Sequence, residues 1–436
     1  MTVAASETTW WAPPPTTELR EKPGGPIPFA ALIAFSCILL LSPQNFVSAL
    51  KPLRIAFLTA GLAGASWLWE RWRDRKSLGL TPEMVICFLL LAWAFMTVPL
   101  SFWPGGSIAR LTDVYIKSVI VFWLLANVIT TERQLRILTA ILMICTVPLG
   151  ATALKNFMRG VFIQDMNAVA RIVAYDGALT SNPNDLALML NLILPLSIAS
   201  LLSARSTLVK SLCLSVIVVS VVAVIVTFSR AGFLGLATIV AVYFVRMIRR
   251  RGADRRWAVA VFLAILFAVP FAPSNYVDRL ATVKNVASDP TGSSQTRWRD
   301  MSAAVQFVMG HPIVGAGLGM DVLALNQVRG VDWVQVHNVY LEYAVDLGVP
   351  GATLFLMLFY RVFKKVRSSR KQLADLPAQR DLFLLVEALE TGLIVFAICG
   401  FFYPVAYNFF FYYIGGLALG ARAVTQQALA VAPVQT

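Results

Sequence analysis

One histidine, one arginine and a short asparagine-aspartate stretch are the residues of this chain whose types and surroundings suit chemistry. His337 is one of two histidines in 436 residues, and it stands in Val336-His337-Asn338-Val339-Tyr340-Leu341, where a long polar segment gives way to an apolar run. An imidazole with an ordinary pKa of about 6.5 can take a proton at neutral pH. A histidine at a helix start can equally be a cap or a hydrogen-bonded anchor. His311, which precedes Pro312 in a loop, reads as structural.

Arg230 lies in Thr227-Phe228-Ser229-Arg230-Ala231-Gly232, a few residues from two long apolar stretches. A guanidinium at such a depth either snorkels to the interface or meets an anionic group, and its planar fork matches phosphate oxygens in a way lysine does not. In Ser181-Asn182-Pro183-Asn184-Asp185 the proline cannot continue a preceding helix, and Asn or Asp before an apolar run is a natural N-cap. Capping alone accounts for that motif; substrate contact is the other reading. A further segment runs from Ser293-Ser294-Gln295-Thr296-Arg297 through Gly315, Gly317 and Gly319 to His337. The glycines follow no predicted strand and open no βαβ unit, so they signal a close backbone turn rather than a nucleotide loop.

The elements that must position these residues are membrane helices. The chain is 58% hydrophobic and 14% charged, far from the balance of a soluble domain. Apolar runs long enough to cross a hydrocarbon core recur along its length. They predict an all-α polytopic fold of twelve spans at about 27-46, 50-69, 83-100, 108-129, 134-154, 184-203, 207-228, 232-248, 257-272, 336-360, 383-402 and 405-421. A barrel is excluded, because barrel strands are short and alternate in polarity. The organisation expected is a disordered tail over 1-26, helices one to nine over 27-272, an outer loop over 273-335, helices ten to twelve over 336-421 and a second tail over 422-436. Ile27 to Leu41 lacks the basic and small-residue flanks of a cleaved signal and reads as the first membrane helix.

The net charge of +14 does not point to nucleic acid, because Lys and Arg gather in short loops. Arg71, Arg73, Arg75 and Lys76 follow helix two; six arginines lie in 246-256; Arg361, Lys364, Lys365, Arg367, Arg370, Lys371 and Arg380 follow helix ten. Under the positive-inside rule these loops, the weaker ones with Arg133, Arg136, Arg205 and Lys210, and both termini are cytoplasmic. The connections at 155-183, 227-232 and 273-335 then face outward, with Arg230 and Arg297 on them and His337 where the longest re-enters the membrane. Within the longest, Trp298, Met301, Val305 and Val308 make one stripe of a short amphipathic helix, which either lies along the outer interface or packs on the bundle.

Other polar groups read as structural. Arg110, Asp113 and Lys117 share one helical face by spacing, with a lining of the substrate cavity as the alternative. Glu387 and Glu390 are expected to pair with the basic loop before them. Glu342 and Asp346, on the helix that His337 begins, either orient neighbouring groups or hold an acceptor. Cys37, Cys87, Cys145, Cys213 and Cys399 lie in apolar runs without CxxC spacing and read as core residues, not disulfides or metal ligands.

Taken in order, Asn182-Pro183-Asn184-Asp185, Ser229-Arg230-Ala231-Gly232, Arg297 with Pro312-Ile313-Val314-Gly315-Ala316-Gly317, and His337-Asn338-Val339-Tyr340-Leu341 with Gly348 and Gly351 resemble the O-antigen ligase and polymerase superfamily. The similarity is strongest from about 180 to 355, and Lys51-Pro52-Leu53-Arg54 adds to it. The resemblance implies a metal-independent membrane glycosyltransferase without a cofactor. Its donor would be a glycan on undecaprenyl pyrophosphate at the periplasmic face of a bacterial inner membrane. Its acceptor would be a lipid A core sugar in a ligase, or another lipid-linked repeat in a polymerase. Carried over by position, Arg230 and Arg297 would contact the pyrophosphate with Arg54 as a helper, and His337 would orient or deprotonate the acceptor hydroxyl. Asn184, Asp185, Asn338 and Tyr340 would join the substrate site. His311 stands where relatives often carry a different polar residue.

The residues agree with that chemistry. Attack of a sugar hydroxyl on the anomeric carbon drives negative charge onto the leaving pyrophosphate, and fixed arginines can stabilise it. No Asp-x-Asp pair lies on an outward loop. A twelve-helix transporter is the rival from another class, but such carriers are usually two six-helix halves joined by a long central cytoplasmic loop. Here helices six and seven are separated by a few residues, and the long connection lies between nine and ten.

Overall fold

A computed structural model describes residues 25–164, 170–175, 179–180, 182–249 and 293–431. The predicted ninth span at 257-272, the start of the long segment, Ser181, part of the 246-256 basic loop, residues 1-24 and residues 432-436 fall outside the described residues; the second tail, expected from 422, is helical as far as Val431. The protein is an all-α membrane protein: eight of the described helices are long and apolar enough to cross a bilayer.

The helices are α1 (Pro26–Leu41), α2 (Ile55–Arg73), α3 (Pro82–Thr97), α4 (Pro104–Val128), α5 (Glu132–Met158), α6 (Pro183–Ser203), α7 (Thr207–Val226), α8 (Arg230–Arg249), α9 (Ser293–Gly310), α10 (Asp321–Arg329), α11 (Val339–Leu373), α12 (Arg380–Cys399) and α13 (Phe409–Val431). A two-stranded antiparallel hairpin, β1 (Ile163–Gln164) with β2 (Ala170–Arg171), joins α5 to α6. Local chemistry sets several starts. Thr131 and Gln134 form a capping box at α5, and the Asn182 and Asn338 side chains accept backbone N–H groups at the starts of α6 and α11. α13 lies on α4 so closely that a Cβ at Gly416 would stand 2.6 Å from the Phe122 carbonyl.

The described members of the basic loops assigned to the cytoplasm gather at one end of the bundle. There Arg370 of α11 pairs with Glu390 of α12 as expected, while Arg246 of α8, from a different basic loop, donates to Glu390 at 2.8 Å and Thr391 at 2.6 Å and lies 3.8 Å from Glu387. Arg136 of α5 reaches Asp381 at 3.0 Å and Arg361 of α11 reaches Glu83 at 3.1 Å. α11 is longer than its apolar run suggested: it continues to Leu373, so Arg361 to Lys371 ride on helix rather than loop. The turns between α5 and α6, α7 and α8, and α12 and α13, with the start of α11, lie at the opposite end.

The glycine-rich turn makes a close approach to a break in α11. Gly348 has φ 67° and ψ −175°, which interrupts the helix and releases its backbone groups. Val345 and Asp346 carbonyls then accept from Ala316 at 2.8 Å and Gly317 at 2.9 Å, while Val349 N donates to Pro312 O at 2.7 Å. Broken backbone within an apolar bundle persists only where it is satisfied in this way. A Cβ at Gly348 would lie 2.2 Å from the Ile313 carbonyl. Gly348→Ala is therefore expected to destabilise the protein by on the order of 3 kcal/mol or more, from a nearly glycine-only backbone region plus overpacking. A thermal melt of the detergent-purified variant matching the wild type would contradict this.

Two readings from spacing change in three dimensions. A π-helical turn over Leu111–Tyr115 shifts the register of α4, so Arg110 turns inward to within 4.0 Å of Glu342 while Asp113 and Lys117 pair at the surface. α9 does pack, but through Asp300, Ala303, Ala304 and Phe307, on a small core shared with Met320, Ala324, Leu325 and Val336. Trp298 and Val305 of the expected stripe face outward, 61% and 47% exposed.

Candidate functional site

Phe228 carries the turn that presents Arg230. Its left-handed φ of 50° reverses the chain after α7, which lets Ser229 cap α8: the Ser229 hydroxyl accepts from Gly232 N at 3.0 Å. Gly232 lets α8 meet α6, since a Cβ there would stand 2.6 Å from that of Ala187, and Asn191 donates to the Gly232 carbonyl at 2.8 Å. Arg230, the first residue of α8, is partly buried at this seam.

Asn184 gathers the neighbouring segments. Its Oδ1 accepts from the Ser229 hydroxyl at 2.7 Å and from Arg171 Nη2 at 2.8 Å. Arg171 carries no signal in the sequence, where it is one arginine in a mixed stretch; the hairpin brings it back against the start of α6. Asp185 follows on that helix, close enough to act on Tyr403, which is fully buried between α12 and α13. Burial pushes the Tyr403 hydroxyl well up, Cys399 adds to this, and Ser229 opposes it; Asp185 pushes it further and Arg297 opposes.

His337 occupies the same end. Its Nδ1 lies 2.9 Å from the Gln335 carbonyl. A carbonyl only accepts, so Nδ1 carries the hydrogen and Nε2 presents a lone pair. Burial first, then the positive charge of Arg297, lowers its pKa from the ordinary 6.5 to about 4, with Arg171 and Arg329 adding and the Gln335 bond opposing. The ring is thus neutral and proton-accepting throughout the physiological range. Arg297, one of those charges, stands partly buried on the first turns of α9.

The remaining candidates have local duties. Asn338 accepts from Tyr340 N at 3.0 Å and Leu341 N at 3.1 Å, and the Tyr340 hydroxyl donates to the Ala397 carbonyl at 2.6 Å. Arg54 is exposed at the left-handed start of α2; among the described residues its side chain makes no hydrogen bond or ion pair. Glu342 accepts from Ala406 N at 3.0 Å and Asp346 from Gly319 N at 2.7 Å, both fully buried. His311 stacks on Phe307 with ring centroids 4.3 Å apart. No group of metal-ligating side chains is present among the described residues, where all five cysteines are free.

Fold and site together define a multi-pass membrane protein with a cationic, histidine-bearing end. Residues 215–356, which include Arg230, Arg297 and His337, match the family model described as O-Antigen ligase. That match supports the O-antigen ligase superfamily, whose members are membrane glycosyltransferases of ligase or polymerase type. Comparison with curated proteins finds no match to this chain.

Proposed function

We propose that this protein is an O-antigen ligase-type glycosyltransferase that moves a glycan from undecaprenyl pyrophosphate to a lipid A core sugar at the periplasmic face of the inner membrane. The observation that carries the reading is the imidazole of His337, tied through Nδ1 to Gln335 and set beside the Arg297 charge, at the same end of the bundle as Arg230. In this reaction His337 Nε2 takes the proton of the acceptor hydroxyl while its oxygen bonds to the anomeric carbon. The anomeric bond to the pyrophosphate breaks and its electron pair leaves on the phosphate oxygen. Arg230 and Arg297 stabilise that growing charge, with Arg171 beside them and Arg54 at the approach from the membrane.

The low basicity of His337 in the free protein fits this order of events. A bound pyrophosphate offsets the Arg297 charge, and the anion stabilises the imidazolium as it forms. The base therefore strengthens when the donor arrives.

Deleting the gene in its own host tests the reading. Loss of a ligase leaves uncapped lipid A core while lipid-linked polymer accumulates; loss of a polymerase leaves core capped by single units. Topology reporters fused after Gly232 and within 293-335 are expected outside the cytoplasm, and an inside signal would overturn the assignment. In proteoliposomes a covalent glycan product is expected; substrate flux without product would favour a carrier.

A further inference from the structure

Resting on the reading of His337 as the base, we infer that Asp300 and Arg329 are positioning residues that hold the His337 segment in register with Arg297. α9 carries Arg297 in its first turns and Asp300 one turn later, the latter fully buried. The Asp300 carboxylate pairs with Arg329 Nη1 at the end of α10, and both side chains are almost wholly buried. Nη2 of the same guanidinium donates to the Asp332 carbonyl at 2.6 Å and the Val334 carbonyl at 2.7 Å.

These bonds fall on the chain that leads into His337. Asn326 Oδ1 holds Asp332 N at 2.9 Å, and the buried Asp321 carboxylate accepts from Val336 N at 2.8 Å. Gln335, whose carbonyl orients the imidazole, lies between Val334 and Val336, both fastened. One continuous path thus runs from the Arg297 helix through Asp300 and Arg329 to the histidine. A generic ion pair would give stability alone; here the guanidinium spends its other donors on two carbonyls within five residues of the base. A planar fork serves these acceptors from two nitrogens held at a fixed separation, which the single nitrogen of an ammonium does not reproduce.

Arg329→Lys keeps the charge opposite Asp300 and removes the fork's hold on the Asp332 and Val334 carbonyls, while the more exposed Arg299–Asp332 ion pair stays in place. In the full-length protein, purified in detergent, histidine labelled with ¹³C at Cε1 reports the ring directly. The chain has two histidines, so the His337 signal is the one lost in His337→Ala. The wild-type His337 should stay neutral down to about 4. In Arg329→Lys its midpoint should move up toward 6.5 as the ring leaves its place beside Arg297. Transfer from lipid-linked glycan extracted from the host's membranes should fall about a hundredfold, in kcat rather than KM.

An unmoved His337 midpoint with kcat within about threefold of wild type would overturn the proposal, as a change of that size is far below the effect of a misplaced group. Should Arg329→Lys not yield folded protein, Asp300→Asn is read by the same two measurements; failure of both to fold reduces the pair to scaffold and also overturns it. His337→Ala separates the two ideas. If it is fully active, the base reading fails; if it is inactive while Arg329→Lys is normal, only the positioning role fails.

Discussion

Replacing His337 with alanine should lower glycan transfer by about a hundred- to ten-thousandfold, the range expected when a general base is removed, while the protein still folds and inserts. The ring is partly buried and its single described hydrogen bond is to the neighbouring Gln335 carbonyl, so little of the fold leans on it. Retained wild-type activity in a normally inserted variant would remove the residue from the mechanism. The pH profile offers a second reading. A pKa of about 4 keeps the free protein's base active from neutral pH down to about pH 5, with kcat/KM falling only below that. The same shift has a stability consequence. The unfolded chain binds this proton below its ordinary 6.5 and the folded one not until about 4, so the contribution is fully present above 6.5 and is lost as pH falls through that window.

The arginines carry the second large expectation. Arg230→Lys should reduce transfer by about two to three orders of magnitude, because it retains charge but loses the fork that grips two phosphate oxygens. Arg297→Gln should weaken transfer to a similar extent and do something a pure binding residue would not. Removing its positive charge raises the His337 pKa, so the acid limb of the residual activity should move up from about 4 toward 6.5. A limb that stays in place would separate Arg297 from the histidine, and Arg230→Lys at wild-type rate would withdraw that arginine from the pyrophosphate.

Much of this was readable in the chain because it depends on short-range physics. Hydrophobic run length dictates helices that cross a bilayer, and Asn182 and Asn338 announce helix starts through side-chain capping. The glycine spacing at 315, 317 and 319 announced a tight turn, and all three residues have positive φ. Arg230 and His337 stood out because charge and imidazole are expensive beside apolar runs, whereas Arg297, in a polar stretch, was singled out only by the family resemblance.

What tertiary structure alone decided lies in pairings between distant residues and in one-residue register changes. The glycine turn meets the break at Gly348, yet its spacing does not name that partner. Arg110 leaves the face of Asp113 and Lys117 because a π turn inserts between them, and periodicity assumes a regular helix. α9 buries Ala303, Ala304 and Phe307 with Val308 of the expected stripe beside them, while Trp298 and Val305 face outward, a choice that depends on what packs against the helix. Arg171 reaches Asn184 through a hairpin, and Arg329 reaches Asp300 across 29 residues. The sequence determined the solvent the chain lives in, its helices and the chemical types at one end of them. Which groups touch was settled only by folding, because contact between remote side chains is a property of packing and not of local propensity.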